Sequence, residues 1–444
     1  MSMNGPTSAV CGFAALLGCT AGLSPAQVAP AEPPTFKLED ALARARQYAG
    51  QIQSATSASQ QAKEDTLQAR ANRLPSVSAF NQFIYTEGNG TQSGVFVAND
   101  GVHIYNEQAQ VHQELLAIVR HGEVNRALAA EAVARARIDI AARGLNQTVI
   151  QDYFAIISAQ RKAANAQRAV QESERFAQIT QQQEKGGEAA HADVVKAQID
   201  LQQRRRDLVE AQLTIEKTKI ALGVMIFPTF SSNFQVVDDI QQPAVLPPAA
   251  EAQAQAAASS PDVKAASATV QQAGYDVTVA RYQYLPSFAL DIFYGIDANQ
   301  FAIRTHGPQF EADGRKNLGY VAQATLNIPV WNWGATRRIK QAESKRDQAQ
   351  VDLSITQRTL DSTLAAAYTE ARGALAQLES LKGSVDLAQE SLRLTLLRYQ
   401  AGESTALEVV DAQSTVNTAR NAYDDGLARY RVALALLQTL TGNL

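Results

Sequence analysis

The side chains with which this 444-residue chain could do chemistry are placed selectively. Glu408 and Asp411 stand three apart, a spacing that puts both carboxylates on one face of a helix. Asp193 occupies the place of Glu408 in a weaker copy of the same stretch. The five histidines are scattered, and His112 and His121, nine apart, would face opposite sides of a helix, so no metal-binding cluster is expected. Arg204, Arg205 and Arg206 read as a solvated helix face. The net charge of −4 gives no reason to expect nucleic acid as a partner. There is no glycine-rich phosphate loop, so any energy must come from another protein. No catalytic residue, cofactor or metal is expected, and the chain reads as something other than an enzyme.

The two acidic stretches belong to a duplication. Arg398 to Gln413 (RYQAGESTALEVVDAQ) is echoed by Gln183 to Gln198 (QEKGGEAAHADVVKAQ). Aligning Gly187 with Gly402, 215 residues apart, superposes Val194 and Val195 on Val409 and Val410. Upstream, Ala69 to Ser76 (ARANRLPS) matches Ala280 to Ser287 (ARYQYLPS) at an offset of 211. Two copies of one long unit are therefore expected: residues 36–222 and 251–444, joined by a proline-bearing connector over 223–250 and preceded by a leader and linker over 1–35.

Within that leader, an apolar run from Ala9 to Leu23 reads as an export signal, although no Lys or Arg precedes Lys37. Two processing routes fit it. Leu16-Leu17-Gly18-Cys19 resembles a bacterial lipobox, which would leave Cys19 as a lipidated first residue. Leu23-Ser24-Pro25-Ala26 has the small residues of an ordinary signal-peptidase site. Both cysteines of the chain, Cys11 and Cys19, lie here, so the body has no disulfide framework. No other apolar run is long enough for a transmembrane helix.

The elements that must position the acidic stretches follow from where proline is absent. None occurs between Ser76 and Phe227 or after Pro329, and proline costs about 3 kcal/mol in a helix interior. Gly122 to Lys185 and Gly334 to Gln400 are predicted as helices about 100 Å long. Each is followed by a glycine turn and a return helix, to Leu222 and Leu440. Small residues dominate their faces, which suits either a curved wall of helices or a solvent-bridging coiled coil. A helix is predicted over 38–73, ended by Leu74-Pro75. Strands are predicted over 76–85, 94–115, from Ser287 and from Leu318, with a polar loop over 297–317. In the last two strands Phe288, Leu290, Ile292 and Tyr294, and Tyr320, Ala322, Ala324 and Leu326, fall on one face. That pattern fits a membrane β-barrel strand and equally a half-buried strand of a soluble sheet.

With these parts together the chain resembles the TolC-like outer-membrane efflux and secretion channels, from about Phe36 to Gly442. The motif Arg398-Tyr399-x-x-Gly402, followed by Leu407 to Gln413, looks like that family's second hairpin tip. Asn327 to Gly334 (NIPVWNWG) resembles its strand-to-helix transition; in the first repeat Glu114 stands where a proline would be expected. The resemblance implies a mainly α fold with a membrane β-barrel: a homotrimer in which each copy gives four strands to a shared barrel in outer-membrane lipid and long hairpins to a periplasmic α-barrel. It implies an exit duct for a tripartite efflux or type I secretion system, working with a periplasmic adaptor and an inner-membrane transporter. A soluble periplasmic coiled-coil scaffold or adaptor is the alternative.

The resemblance also implies roles for single residues. Glu408 and Asp411 would form stacked carboxylate rings at the periplasmic aperture. Tyr399 would hydrogen-bond Asp193 as a latch. Ser404 stands where the family can carry an arginine, so one charge-assisted bond is missing there. Helix capping is the plain alternative for these positions. Gly187, Val194, Val195, Gly402, Val409 and Val410 are expected to dock the adaptor, with packing between helices as the rival role.

Overall fold

Residues 33–85, 103–241, 245–298, 318–330 and 332–442 are described in a computed structural model of the chain. The leader, including Cys19 and both processing sites, lies outside them, as does most of the polar loop expected over 297–317. The order of elements repeats. The first unit runs β1 (Thr35–Phe36), α1 (Leu38–Tyr48), α2 (Gly50–Ala71), β2 (Ser76–Tyr85), β3 (His103–Leu116), α3 (Ile118–Gly186) and α4 (His191–Ile226). The second runs β4 (Gln235–Val236), α5 (Ala249–Ser259), α6 (Pro261–Tyr282), β5 (Ser287–Ala298), β6 (Leu318–Asn327), α7 (Trp333–Gln400) and α8 (Ala406–Thr441). The helix α1 and its counterpart α5 have 11 residues each, and α4 and α8 have 36 each.

One expectation fails near the start. The single helix over 38–73 is broken at Ala49, whose ψ of 124° is extended. The break lets Leu42, Ala45 and Ala49 join a core with Phe36 while α2 leaves in a new direction. The second unit breaks at the equivalent place, where Ser260 caps α6 and Pro261 opens it. A proline marks that break in the sequence; at Ala49-Gly50 nothing comparable does. The interior glycines 144, 373 and 383 leave their helices unbroken.

The long helices pack side by side in one layer. α3 packs on α4 and α8, and α8 packs on α7; nearer the strands, α2, α3, α6 and α7 follow in that order. Ala, Ser and Gln at the contacts let the axes approach closely, and the densest core lies halfway along. There Ile150, Tyr153, Phe154 and Ile157 of α3 meet Phe36, Leu222, Ile226, Phe234 and Ile240. The connector is thus a packed element. β4 pairs in parallel with β1, and Tyr153 Oη donates to the Val237 carbonyl at 2.9 Å.

At the far end β2-β3-β5-β6 form an antiparallel sheet in that order. The register sets Leu290 opposite Ala324, Ile292 opposite Ala322 and Tyr294 opposite Tyr320, so the expected apolar positions share a face. Val77, Val111 and Ile292 continue the row across the sheet. That face is bare: Tyr320 is 79% exposed and Val77 74%. On the other face His112 lies 2.6 Å from Asp291. His112 therefore sits in a strand and not in the helix assumed from its spacing to His121. At the β3–α3 junction, where a proline was missing, Arg120 Nε donates to Glu114 at 3.0 Å and its Nη1 to Glu123 at 3.1 Å. An ion-pair cluster fixes this transition.

The candidate site at the hairpin tips

Both glycine turns form as the repeat requires. α3 ends on Gly187 with φ of +79°, and Gly402 adopts φ of +77° after α7. These left-handed positions favour glycine because a Cβ would be strained there. The return helices then begin differently. Thr405 caps α8: its Oγ1 accepts from the Glu408 backbone N–H at 3.4 Å, while Glu408 Oε1 accepts from the Thr405 N–H at 3.4 Å. Ser404 Oγ donates to Glu408 Oε2 at 2.9 Å. The Ser404 hydroxyl, then the Thr405 backbone N–H, hold the Glu408 carboxyl below its ordinary value, with Arg398 3.8 Å away contributing less. At the first tip Ala190 has no side-chain oxygen to offer as a cap, and α4, with Asp193 as its third residue, begins without that box. His191 Nδ1 instead lies 2.6 Å from Glu184 across the turn.

Glu408 and Asp411 are both exposed on one side of α8. Glu408 is thus a capping residue whose carboxylate lies at the surface. Tyr399 departs from expectation. Its ring is 5% exposed and packs edge-on to Phe176, with centroids 5.2 Å apart. Within the chain no hydrogen bond joins it to Asp193. The Thr180 hydroxyl nearby donates to the Phe176 carbonyl at 2.9 Å, and Tyr399 Oη is left without a partner. Burial raises the phenol above its ordinary value; the Thr180 hydroxyl opposes this and the charge of Asp193 adds to it.

The docking residues divide. Val194 and Val409 are buried, Val195 is exposed and Val410 is half-buried. Consecutive helical side chains point about 100° apart, so only one valine of each pair can face inward. Val194 and Val409 are therefore corrected to packing residues; Gly187, Gly402, Val195 and part of Val410 remain at the surface. Val409 joins Phe176, Ala197, Leu392, Tyr399, Ala406 and Val416 in a core shared by the lower ends of all four long helices.

Sequence reasoning missed the polar ties above the tips. Arg204 is buried, 3.2 Å from Asp200, which accepts from Ser173 at 2.6 Å, so the arginine run is not wholly a solvated face. Asp424 of α8 accepts from Arg161 at 3.1 Å and Asn165 at 2.8 Å, while Arg161 also holds Asp238 of the connector. The visible signal was an isolated Asp424-Asp425 pair in an otherwise alanine-rich helix.

Residues 253–443 match the family described as outer membrane efflux protein. The chain is 24% identical over 310 residues to the pyoverdine export outer membrane protein OpmQ of Pseudomonas putida, covering 66% of this chain and 61% of that one. The matched stretch thus spans less than two thirds of that relative. It is 22% identical over 328 residues to the cobalt-zinc-cadmium resistance protein CzcC of Cupriavidus metallidurans, covering 73% and 72%. In fold it is similar to the Campylobacter jejuni CmeC outer membrane channel, with a TM-score of 0.77, 16% identity and coverage of 91% and 85%. A membrane protein from Pseudomonas aeruginosa gives 0.78, 19%, 91% and 93%.

Proposed function

We propose that this chain, whose residues 253–443 belong to the outer membrane efflux protein family and whose fold is that of the TolC-like channels, is the outer-membrane exit duct of an efflux system. The observation that carries this reading is a pair of mismatched margins. The sheet begins at β2 and ends at β6, and the helical layer begins at α2 and α4 and ends at α7. One margin of both layers comes from the first repeat and the other from the second. Open strand edges leave unpaired backbone groups, which lipid does not tolerate. A head-to-tail ring removes every edge at once, β6 of one copy pairing with β2 of the next. Three copies, the number the resemblance implies, give a twelve-stranded barrel.

The side chains support the same assembly. One sheet face carries Val77, Val111, Ile292, Tyr294 and Tyr320, with Asn81 and Glu107 only towards the end of the β2–β3 pair, which suits a lipid-facing band. α4 leaves Ile199, Val209, Leu213 and Val224 exposed, and α7 leaves Val351, Ile355, Leu387 and Leu394 exposed. These stripes lie on helices with one free flank and would cover each other between copies. A soluble scaffold needs neither the bare apolar sheet nor its two open edges.

In this reading the α-barrel, about 100 Å long, crosses the periplasm and its aperture lies at the tips. Solutes pass without covalent chemistry, driven by an inner-membrane transporter reached through a periplasmic adaptor at Gly187, Gly402 and Val195. Glu408 and Asp411 set the charge of the aperture. The test is conductance of the purified chain in planar lipid bilayers: discrete single-channel steps are expected, and a membrane left electrically silent contradicts the reading.

A further inference from the structure

A pocket of about 390 Å³ opens among α3, α7 and α8 above the tips, and nothing in the duct reading uses it. Its floor is apolar: Phe176 and Ile179 from α3, Leu392 and Leu396 from α7. Its remaining wall carries a guanidinium from each helix, Arg175, Arg393 and Arg420, beside the Glu172 carboxylate and Gln389. Arg420 is engaged by Glu172 at 3.1 Å, and Arg393 by Glu390 at 2.7 Å. Arg175 is exposed and forms no ion pair among the described residues.

The pocket also contains an unsatisfied acceptor. Gln413 is 4% exposed, and its Nε2 donates to the Glu172 carbonyl at 3.4 Å. That bond fixes which way the amide points and leaves Oε1 buried with no donor. Turning the amide would set two oxygens against each other. A buried acceptor left unmet costs about 1–3 kcal/mol; Oε1 is covered in the empty pocket, and an occupant whose hydroxyl displaces that cover gains the missing bond.

We infer that this pocket binds an amphipathic hydroxy acid: an aliphatic body on the Phe176–Leu392 floor, a carboxylate at Arg175 and a hydroxyl donating to Gln413 Oε1. Guanidinium groups suit the carboxylate because they offer paired N–H donors in its plane. The apolar floor excludes simple inorganic anions, and the guanidinium wall disfavours neutral lipids. The site is a property of the single chain and does not depend on the duct reading.

Isothermal titration of the full-length chain in lipid nanodiscs tests it, with 10-hydroxydecanoate, decanoate and decan-1-ol as probes. Arg175→Ala in identical nanodiscs accounts for partition into lipid, and because Arg175 is exposed and unpaired the variant should fold normally. The hydroxy acid is expected to bind saturably, at least tenfold more tightly than decan-1-ol, and Arg175→Ala should weaken it at least tenfold. Gln413→Leu should abolish the preference for 10-hydroxydecanoate over decanoate. Equal heats from wild type and Arg175→Ala, or decan-1-ol binding as tightly as the acids, would overturn the assignment.

Discussion

Tyr399 at the end of α7 lies edge-on against Phe176 of α3, ring centroids 5.2 Å apart, and this contact joins the second hairpin to the first repeat. Its hydroxyl has no partner. Tyr399→Phe should therefore be neutral or stabilising, within about 1 kcal/mol, with unchanged conductance. Tyr399→Ala should cost about 3–4 kcal/mol through the cavity it leaves and raise single-channel conductance by loosening the tip. Paired unfolding and bilayer measurements check both. A conductance increase in Tyr399→Phe would show that the hydroxyl, not the ring, makes the tie.

Glu408 links the second tip to pH. Its folded carboxyl titrates below the ordinary value of 4.5, chiefly through the Ser404 hydroxyl. A depressed acid contributes stability that is complete above its unfolded pKa and is lost as pH falls through the folded one. Amide hydrogen exchange in the first turn of α8 should stay protected from neutral pH down to about 4.5 and rise only below that. Ser404→Ala should move the rise upward.

Asp411 separates charge from structure. Its side chain is exposed and outside the capping box, so Asp411→Asn should leave thermal stability unchanged. If Glu408 and Asp411 line the aperture, the substitution will shift the bilayer reversal potential towards lower cation selectivity. Glu408→Gln should shift it as well, while also weakening the tip. An unmoved reversal potential in both variants would place these carboxylates away from the permeation path.

Asp424 is the centre of the tie between the repeats. Removing it leaves Asn165 with the Asn421 side-chain oxygen alone and Arg161 with Asp238 alone. Asp424→Ala should destabilise by about 3 kcal/mol, seen as a lower urea midpoint. Lys162→Met, which breaks a more exposed pair with Asp425, should cost under about 1 kcal/mol.

The repeat, the strands and the giant helices were legible because each leaves a periodic trace: matched stretches 215 and 211 residues apart, alternation in β5 and β6, and proline-free spans. The break at Ala49 left none, because it answers to a core assembled from Phe36, Ile150 and Phe234, residues far apart in sequence. The tips were legible as turns but not as surfaces. Val194 and Val195 look alike in sequence, and only the helix phase hides one and exposes the other. Arg175 and Phe176 carried no motif, and Gln413 stood out only as the end of the tip motif; they matter because three helices bring them together.

The measurement that bears most directly on the account is the mass, by light scattering, of the chain purified from detergent-extracted outer membranes. The account predicts a particle containing three copies of the processed chain, each below the 47.8 kDa of the full sequence, dissociated only by heating. A monomer recovered from the water-soluble fraction would leave both β-sheet edges open and would contradict it.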